Sequence, residues 1–203
     1  MHLLNRLLQR RLGFGVLTLG IVGALQAAPS PVAPLSQLVA LVAQRNAIAH
    51  DVAANKYPRD VAVVDAAREQ IVLQRKREQA IGRGLDPEAV VGFYMQLIEA
   101  NKLVQHADFY RYRLGRVPPP APTLDQIRQR IDHVDAQLLD LWPHLQGARA
   151  DLHCTARTAD TTRHWLRRHP GTTQAERLAL VRSLVGFCVH DGKAQRSAVD
   201  ELP

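Results

Sequence analysis

Arg45 and Lys56 stand eleven residues apart, close to three full helical turns, so both project from the same side of a helix. The residues sharing that side are apolar. Leu38, Val42, Arg45, Ala49, Val52 and Lys56 step by 4, 3, 4, 3, 4, the spacing of a stripe that faces a core. Two cations set into such a stripe are costly unless something negative meets them there. The pattern therefore demands helices, and an anionic partner among them.

Punctuation along the rest of the chain predicts more helices. The first starts near Ser36, a suitable N-cap, and runs to about Lys56, where Pro58 stops it. A second spans about Asp60 to Arg83, built of good helix formers apart from its valines, with Gly82 and Gly84 at its end. Asp86-Pro87 supplies an N-cap and a first-position proline for a third, which continues to about Arg113. Residues 115–122, Gly-Arg-Val-Pro-Pro-Pro-Ala-Pro, predict an extended connector. Thr123-Leu-Asp-Gln126 fits a capping box and opens a fourth helix to about Leu145. A further helical stretch containing Cys154 ends at Pro170-Gly171. Thr173-Gln-Ala-Glu176, a second capping box, opens a last helix expected to carry Cys188, before a polar tail from Asp191. No period-two strand pattern of useful length occurs. The expected class is all-α, a helical bundle.

The 203 residues, 46% hydrophobic, suit one globular domain with its own core. Residues 1–27 resemble a cleavable secretory signal: Arg6, Arg10 and Arg11 precede an apolar Leu12–Leu25, then small residues around Ala24–Ala28. The apolar run is about 14 residues, shorter than the roughly 20 that span a bilayer; an uncleaved anchor is the alternative. The expected mature part, 28–203, divides into core helices over 35–113 and C-terminal helices over 123–190. Losing the three signal arginines takes the formal charge from +7 to +4. The remaining basic residues are dispersed, which argues against a nucleic-acid partner. The two cysteines, Cys154 and Cys188, in an exported chain read as one disulfide, with buried free thiols as the alternative. No further soft ligand stands at zinc spacing, so no metal is expected.

Every main helix carries polar groups on its inward stripe. On the second, Asp65, Arg68, Glu69 and Val72 share a face; on the third, Val91, Tyr94, Ile98, Asn101 and Gln105 do; on the fourth, Leu124, Arg128, Ile131, Asp135, Leu138 and Trp142. Any one of these polar residues alone reads as a snorkelling side chain or an internal ion pair. Together, three arginines and a lysine outnumber Asp65 and Glu69, provided that Asp135 faces elsewhere. A cationic cavity with amide donors suits a small dicarboxylate, which arginine grips bidentately. Neither a phosphate loop nor a nucleophile with an adjacent base is visible, and His50 reads as structural. The kit favours electrostatic preorganisation and conformational restraint. Two non-enzymatic readings stay open: a helical binding protein for a small dicarboxylate, and an interaction module whose stripe cations are salt-bridged.

Arg45, Lys56, Asp65-x-x-Arg68-Glu69 and Gln105, on three successive helices, resemble the active-site pattern of the all-helical chorismate mutases. Gly84-Leu-Asp-Pro87 and Ile98-Glu-Ala-Asn-Lys102 support the resemblance, which covers about residues 35–145. The export signal, the two-cysteine C-terminal extension and the Pro-rich connector resemble the secreted (gamma) subclass. The resemblance implies an isomerase that rearranges chorismate to prephenate, on the branch toward phenylalanine and tyrosine, without cofactor or metal. It implies that Arg45, Arg68 and Arg128 hold the substrate carboxylates, with Asn101 adding a contact. Lys56 and Gln105 would donate to the ether oxygen, and Glu69 would accept from the ring hydroxyl. Asp65 would orient neighbouring cations. It further implies a periplasmic or secreted homodimer with a complete site in each subunit, and no membrane partner after signal cleavage. Asn101 departs from the Ser or Thr common in relatives, and Val72 from the Gln of some secreted ones.

Overall fold

The computed structural model describes residues 32–189. The expected signal at 1–27, the rest of the segment before Val32 and the tail beyond Val189 lie outside the described residues. Among the described residues six α-helices follow one another: α1 (Val32–Lys56), α2 (Ala66–Gly82), α3 (Pro87–Arg113), α4 (Leu124–Arg149), α5 (Cys154–Arg168) and α6 (Gln174–Leu184). A single 3-10 turn, Tyr57–Arg59, follows α1. No strand occurs among the described residues, so the fold is all-α as the periodicity predicts.

Helix ends follow the local chemistry wherever a cap is present. Asp86 caps α3 by accepting from the Glu88 and Ala89 amides, with Pro87 in the first position. Thr123 and Thr173 form the two expected capping boxes, with Gln126 and Glu176. Gly84, at φ 66°, makes the reversal between α2 and α3 in the left-handed region that glycine enters without steric cost.

Four boundaries differ from expectation. The first helix begins at Val32, ahead of Ser36, because Pro34 falls in the first turn, where a missing N–H leaves no intrahelical bond unmade. The second begins at Ala66 and not at Asp60. Asp60 turns left-handed at φ 53°, and the Ala62 and Val63 carbonyls go to Lys56 Nζ instead of to a helix ladder. The fourth runs on to Arg149 through Pro143. Leu141, Trp142 and Leu145 are all buried around the proline, and that packing offsets the bond it removes. The last helix stops at Leu184, so Cys188 lies in the segment after it, past Gly186 at φ 76°.

One large core cluster is flanked by two smaller ones, Ala49–Ala100–Val104–Ala179 and Ala53–Val63–Phe109–Tyr112. Helix α1 packs against α3, α4, α5 and α6, while α3 packs against α2 and α6. Leu38, Leu97, Leu138, Leu145 and Leu180 are among its fully buried side chains, each contributing about 1.5–3 kcal/mol by removal from water. Phe93, Trp142 and Phe187 form an aromatic triangle, with ring centroids 5.2 to 6.4 Å apart. The Arg149 guanidinium lies 4.4 Å from the Trp142 ring centre and donates from Nε to the Phe187 carbonyl at 2.9 Å. The C-terminal segment is thereby fastened to the end of α4. The Cys154–Cys188 disulfide is formed, with Cα atoms 5.8 Å apart. Closing that loop contributes about 3–4 kcal/mol on a chain-entropy basis.

His50 joins α1 to α3 and α6. Its Nδ1 lies 2.6 Å from Asp108 Oδ2 and its Nε2 3.5 Å from Glu176 Oε1, while Arg111 pairs with the other Asp108 oxygen. The hydrogen bond to Asp108 raises the His50 pKa above its ordinary 6.5, against the opposing effect of burial. Burial pushes the Asp108 pKa up, but its bonds to His50 and Arg111 win and hold it below 3.8. A raised histidine pKa stabilises the fold fully below about 6.5 and loses that effect as pH rises through the folded value. The lowered aspartate pKa stabilises above about 3.8 and is lost on acidification. The Tm gap between wild type and His50→Gln is therefore largest near pH 5–6 and smaller above about pH 8. Equal gaps across that range, read by thermal unfolding, would contradict the pairing.

Candidate active site

A cavity of about 320 Å³ opens between α1, α2, α3 and α4. All eight residues singled out as site candidates line it: Arg45, Lys56, Asp65, Arg68, Glu69, Asn101, Gln105 and Arg128. Each reaches it from the stripe that placed it. Val52, Val72, Ile98 and Ile131 supply apolar wall between them.

Lys56 ends α1 and turns its ammonium toward the loop before α2. Its Nζ donates to the Ala62 carbonyl at 3.0 Å and the Val63 carbonyl at 2.9 Å. An ammonium has three donors, so one N–H is left for a ligand. Burial lowers the Lys56 pKa below 10.5, partly opposed by the charges of Asp65 and Glu69 and assisted by Arg59. Asp65 is exposed, and its side chain accepts from the Arg68 amide as the N-cap of α2. It starts the helix that carries Arg68 and Glu69 into the cavity. Its charge raises the Lys56 pKa against the effect of burial, and no ion pair to Asp65 occurs among the described residues.

On α3 the two amides are joined: Gln105 Nε2 donates to Asn101 Oδ1 at 2.6 Å. Gln105 is only 4% exposed, and its Oε1 has no hydrogen-bond partner among the described residues. One Nε2 proton remains for a ligand. Glu69 is held by Lys102, whose Nζ lies 3.1 Å from Glu69 and 2.6 Å from Glu99. Burial would lower the Lys102 pKa, but its bonds to Glu99 and Glu69 reverse this and raise it. Arg128 is half exposed at the mouth of the cavity and, among the described residues, pairs only with nearby Asp125, at 3.3 Å.

Asp135 departs from the expectation that it faces elsewhere. It is 1% exposed, lines the cavity and accepts from Arg45 Nε at 2.7 Å and Lys76 Nζ at 2.9 Å. The cationic excess survives this correction through residues not anticipated from the sequence. Lys76, Lys102, Arg59 and Arg75 also line the site, so eight basic side chains face four acidic ones, Asp65, Glu69, Asp132 and Asp135. Lys76 was detectable: it lies one turn beyond Val72 on the stripe of Arg68. Asp135 stood on its stripe already. No cluster of three or more potential metal ligands occurs among the described residues.

What the arrangement can do chemically is limited and definite. It offers positive charge and N–H donors within apolar walls. It suits a dianion whose reaction builds negative charge on an oxygen.

The chorismate mutase type II family matches residues 36–106, which spans α1, α2 and the part of α3 that carries Asn101 and Gln105. A secreted chorismate mutase of Mycolicibacterium smegmatis is 33% identical over 139 residues, covering 64% of this chain and 77% of that protein. The crystal structure of a chorismate mutase from Burkholderia thailandensis superposes with a TM-score of 0.72 at 29% identity, over 76% of this chain and 99% of that one. One from Burkholderia phymatum does so at 0.74 and 26% identity, over 79% and 99%. On this similarity in sequence, and with an all-α fold that superposes on solved chorismate mutases, the chain belongs to the chorismate mutase type II family.

Proposed function

We propose that the α1–α4 cavity rearranges chorismate to prephenate by an intramolecular Claisen step, outside the cytoplasm. The observation that carries this reading is the convergence of eight cations and two side-chain amides, Asn101 and the buried Gln105, on one 320 Å³ cavity. In the reaction an ether C–O bond breaks as a C–C bond forms within one molecule, and no proton, electron pair or group leaves. The protein therefore needs no acid, base or cofactor. It has to hold the substrate compact and stabilise the oxygen that gains charge.

Arg45, Arg68 and Arg128 bind the two carboxylates, with Asn101 adding a contact. Lys56 donates its free N–H to the ether oxygen, and Gln105 donates its remaining amide proton to the same atom. Glu69, oriented by Lys102, accepts from the ring hydroxyl. The disulfide, and a relative named as secreted, support export; a periplasmic setting and a homodimer complete the reading. All seven proposed contacts come from one chain, so each subunit of a dimer holds a whole site.

The test is to mix the mature chain with chorismate and follow its disappearance. Turnover is expected; tight binding of a dicarboxylate mimic without turnover would sink the enzymatic reading. Arg128→Ala should raise KM about tenfold with a smaller change in kcat, since a partly exposed charged pair contributes about 1.5 kcal/mol to binding. An unchanged KM would remove Arg128 from the carboxylate site.

A further inference from the structure

One buried carboxylate in this molecule has two buried cations. Asp135 on α4 receives Arg45 from α1 and Lys76 from α2, and all three side chains line the cavity. Arg45 and Lys76 are each 4% exposed and Asp135 1%. A single ion pair would have neutralised Asp135; the second cation is surplus to that need. Retaining an excess buried cation is unfavourable in itself, so its presence points to an anion that visits.

The geometry shows how the three act together. Arg45 spends Nε on Asp135 and one Nη1 proton on the Leu97 carbonyl, at 3.4 Å, so its other terminal N–H groups remain for a ligand. Burial pulls the Arg45 pKa down, and the charge and hydrogen bond of Asp135 more than reverse it. The guanidinium is thus anchored along one edge and charged. Asp135 is itself seated: Tyr94 OH donates to its backbone carbonyl at 2.9 Å, and Lys76 Nζ sits 4.7 Å from the centre of the Tyr94 ring. The anchor carries a penalty, because a carboxylate against Arg45 cancels the charge that a substrate carboxylate should meet. Lys76 restores it.

We propose that Asp135 and Lys76 are positioning residues for Arg45: Asp135 aims the guanidinium, and Lys76 returns the positive charge that Asp135 removes. The trio then carries one net positive charge when empty and none once a substrate carboxylate arrives. This inference rests on the chorismate mutase reading above.

The experiment is a charge cycle in the full mature chain, with KM and kcat for chorismate read separately and folding checked by thermal unfolding. Lys76→Met leaves a neutral Arg45–Asp135 pair, and should raise KM about tenfold with kcat nearly kept, the pattern of lost uniform binding. Lys76→Arg should recover most of that KM. Asp135→Asn keeps both cations but frees Arg45, and should lower kcat about tenfold with KM held or reduced. The double variant restores one net positive charge, so its KM should return toward wild type while kcat stays low. A folded Lys76→Met variant with KM within twofold of wild type overturns the proposal, as does a double variant whose losses are the product of the singles. Should Asp135→Asn not fold, the Met and Arg variants at position 76 decide alone. Absence of turnover by wild type would sink the functional reading and this inference with it. Wild-type turnover with an unmoved Lys76→Met overturns only the inference.

Discussion

Lys56→Ala should lower kcat for chorismate by about 10²–10³-fold, the effect of removing one donor aimed at a developing oxyanion. The α1 stripe brings Lys56 to the cavity, and the Ala62 and Val63 carbonyls take two of its three N–H groups. The ammonium is held by protein on one side and keeps a single donor, assigned by the proposed function to the ether oxygen. Little reorganisation is then needed as charge builds, so the loss on truncation falls mainly on kcat and less on KM. The same site gives the pH dependence its sign. Burial lowers the Lys56 pKa, so the ammonium persists below that lowered value and is lost as pH rises through it. Activity should decline on the alkaline side earlier than a free lysine's 10.5 would dictate, and the residual rate of Lys56→Ala should lack that limb. A kcat within tenfold of wild type would remove Lys56 from the ether oxygen.

Gln105→Glu should make the rate strongly dependent on pH, with kcat/KM about 10²-fold below wild type at pH 8 and a gap that narrows toward pH 5. An amide donates at any pH, whereas a carboxyl donates only while protonated. Gln105 is 4% exposed and adjoins Asn101 Oδ1 at 2.6 Å. An ionised Glu there would face both that carbonyl and an oxygen gaining negative charge. Its proton is present below the variant's carboxyl pKa and lost above it, so the rate must fall as pH rises. Wild type should show no requirement for low pH. Matching pH profiles for the two proteins would exclude Gln105 as the donor.

Much of the site was legible because helical period and burial coincide. A residue on an apolar line at 3-and-4 spacing must face inward, so Arg45, Asn101 and Gln105 could be placed from spacing alone. The segment from Asp60 to Asp65 was misread for a related reason. Its residues do not forbid a helix, but Lys56 competes for the carbonyls that a helix would use, and Asp65 caps the start of α2. Arg128 shows the limit from the other side: on the stripe of Trp142, it lies near the helix start, where the core has opened to solvent.

Local order in this chain follows from short-range rules: Asp86-Pro87, the two capping boxes and the glycine turn determine where helices begin and end, because their hydrogen bonds close within a few residues. Which charges meet inside is another matter. Arg45, Lys76 and Asp135 lie on three helices, with 90 residues between Arg45 and its carboxylate. Each stripe states that its residue points inward, and none states what stands opposite. Only the packing of α1, α2 and α4 around the cavity pairs one carboxylate with two cations. Arg45 began as a cation out of place in an apolar stripe; packing makes it an aimed one.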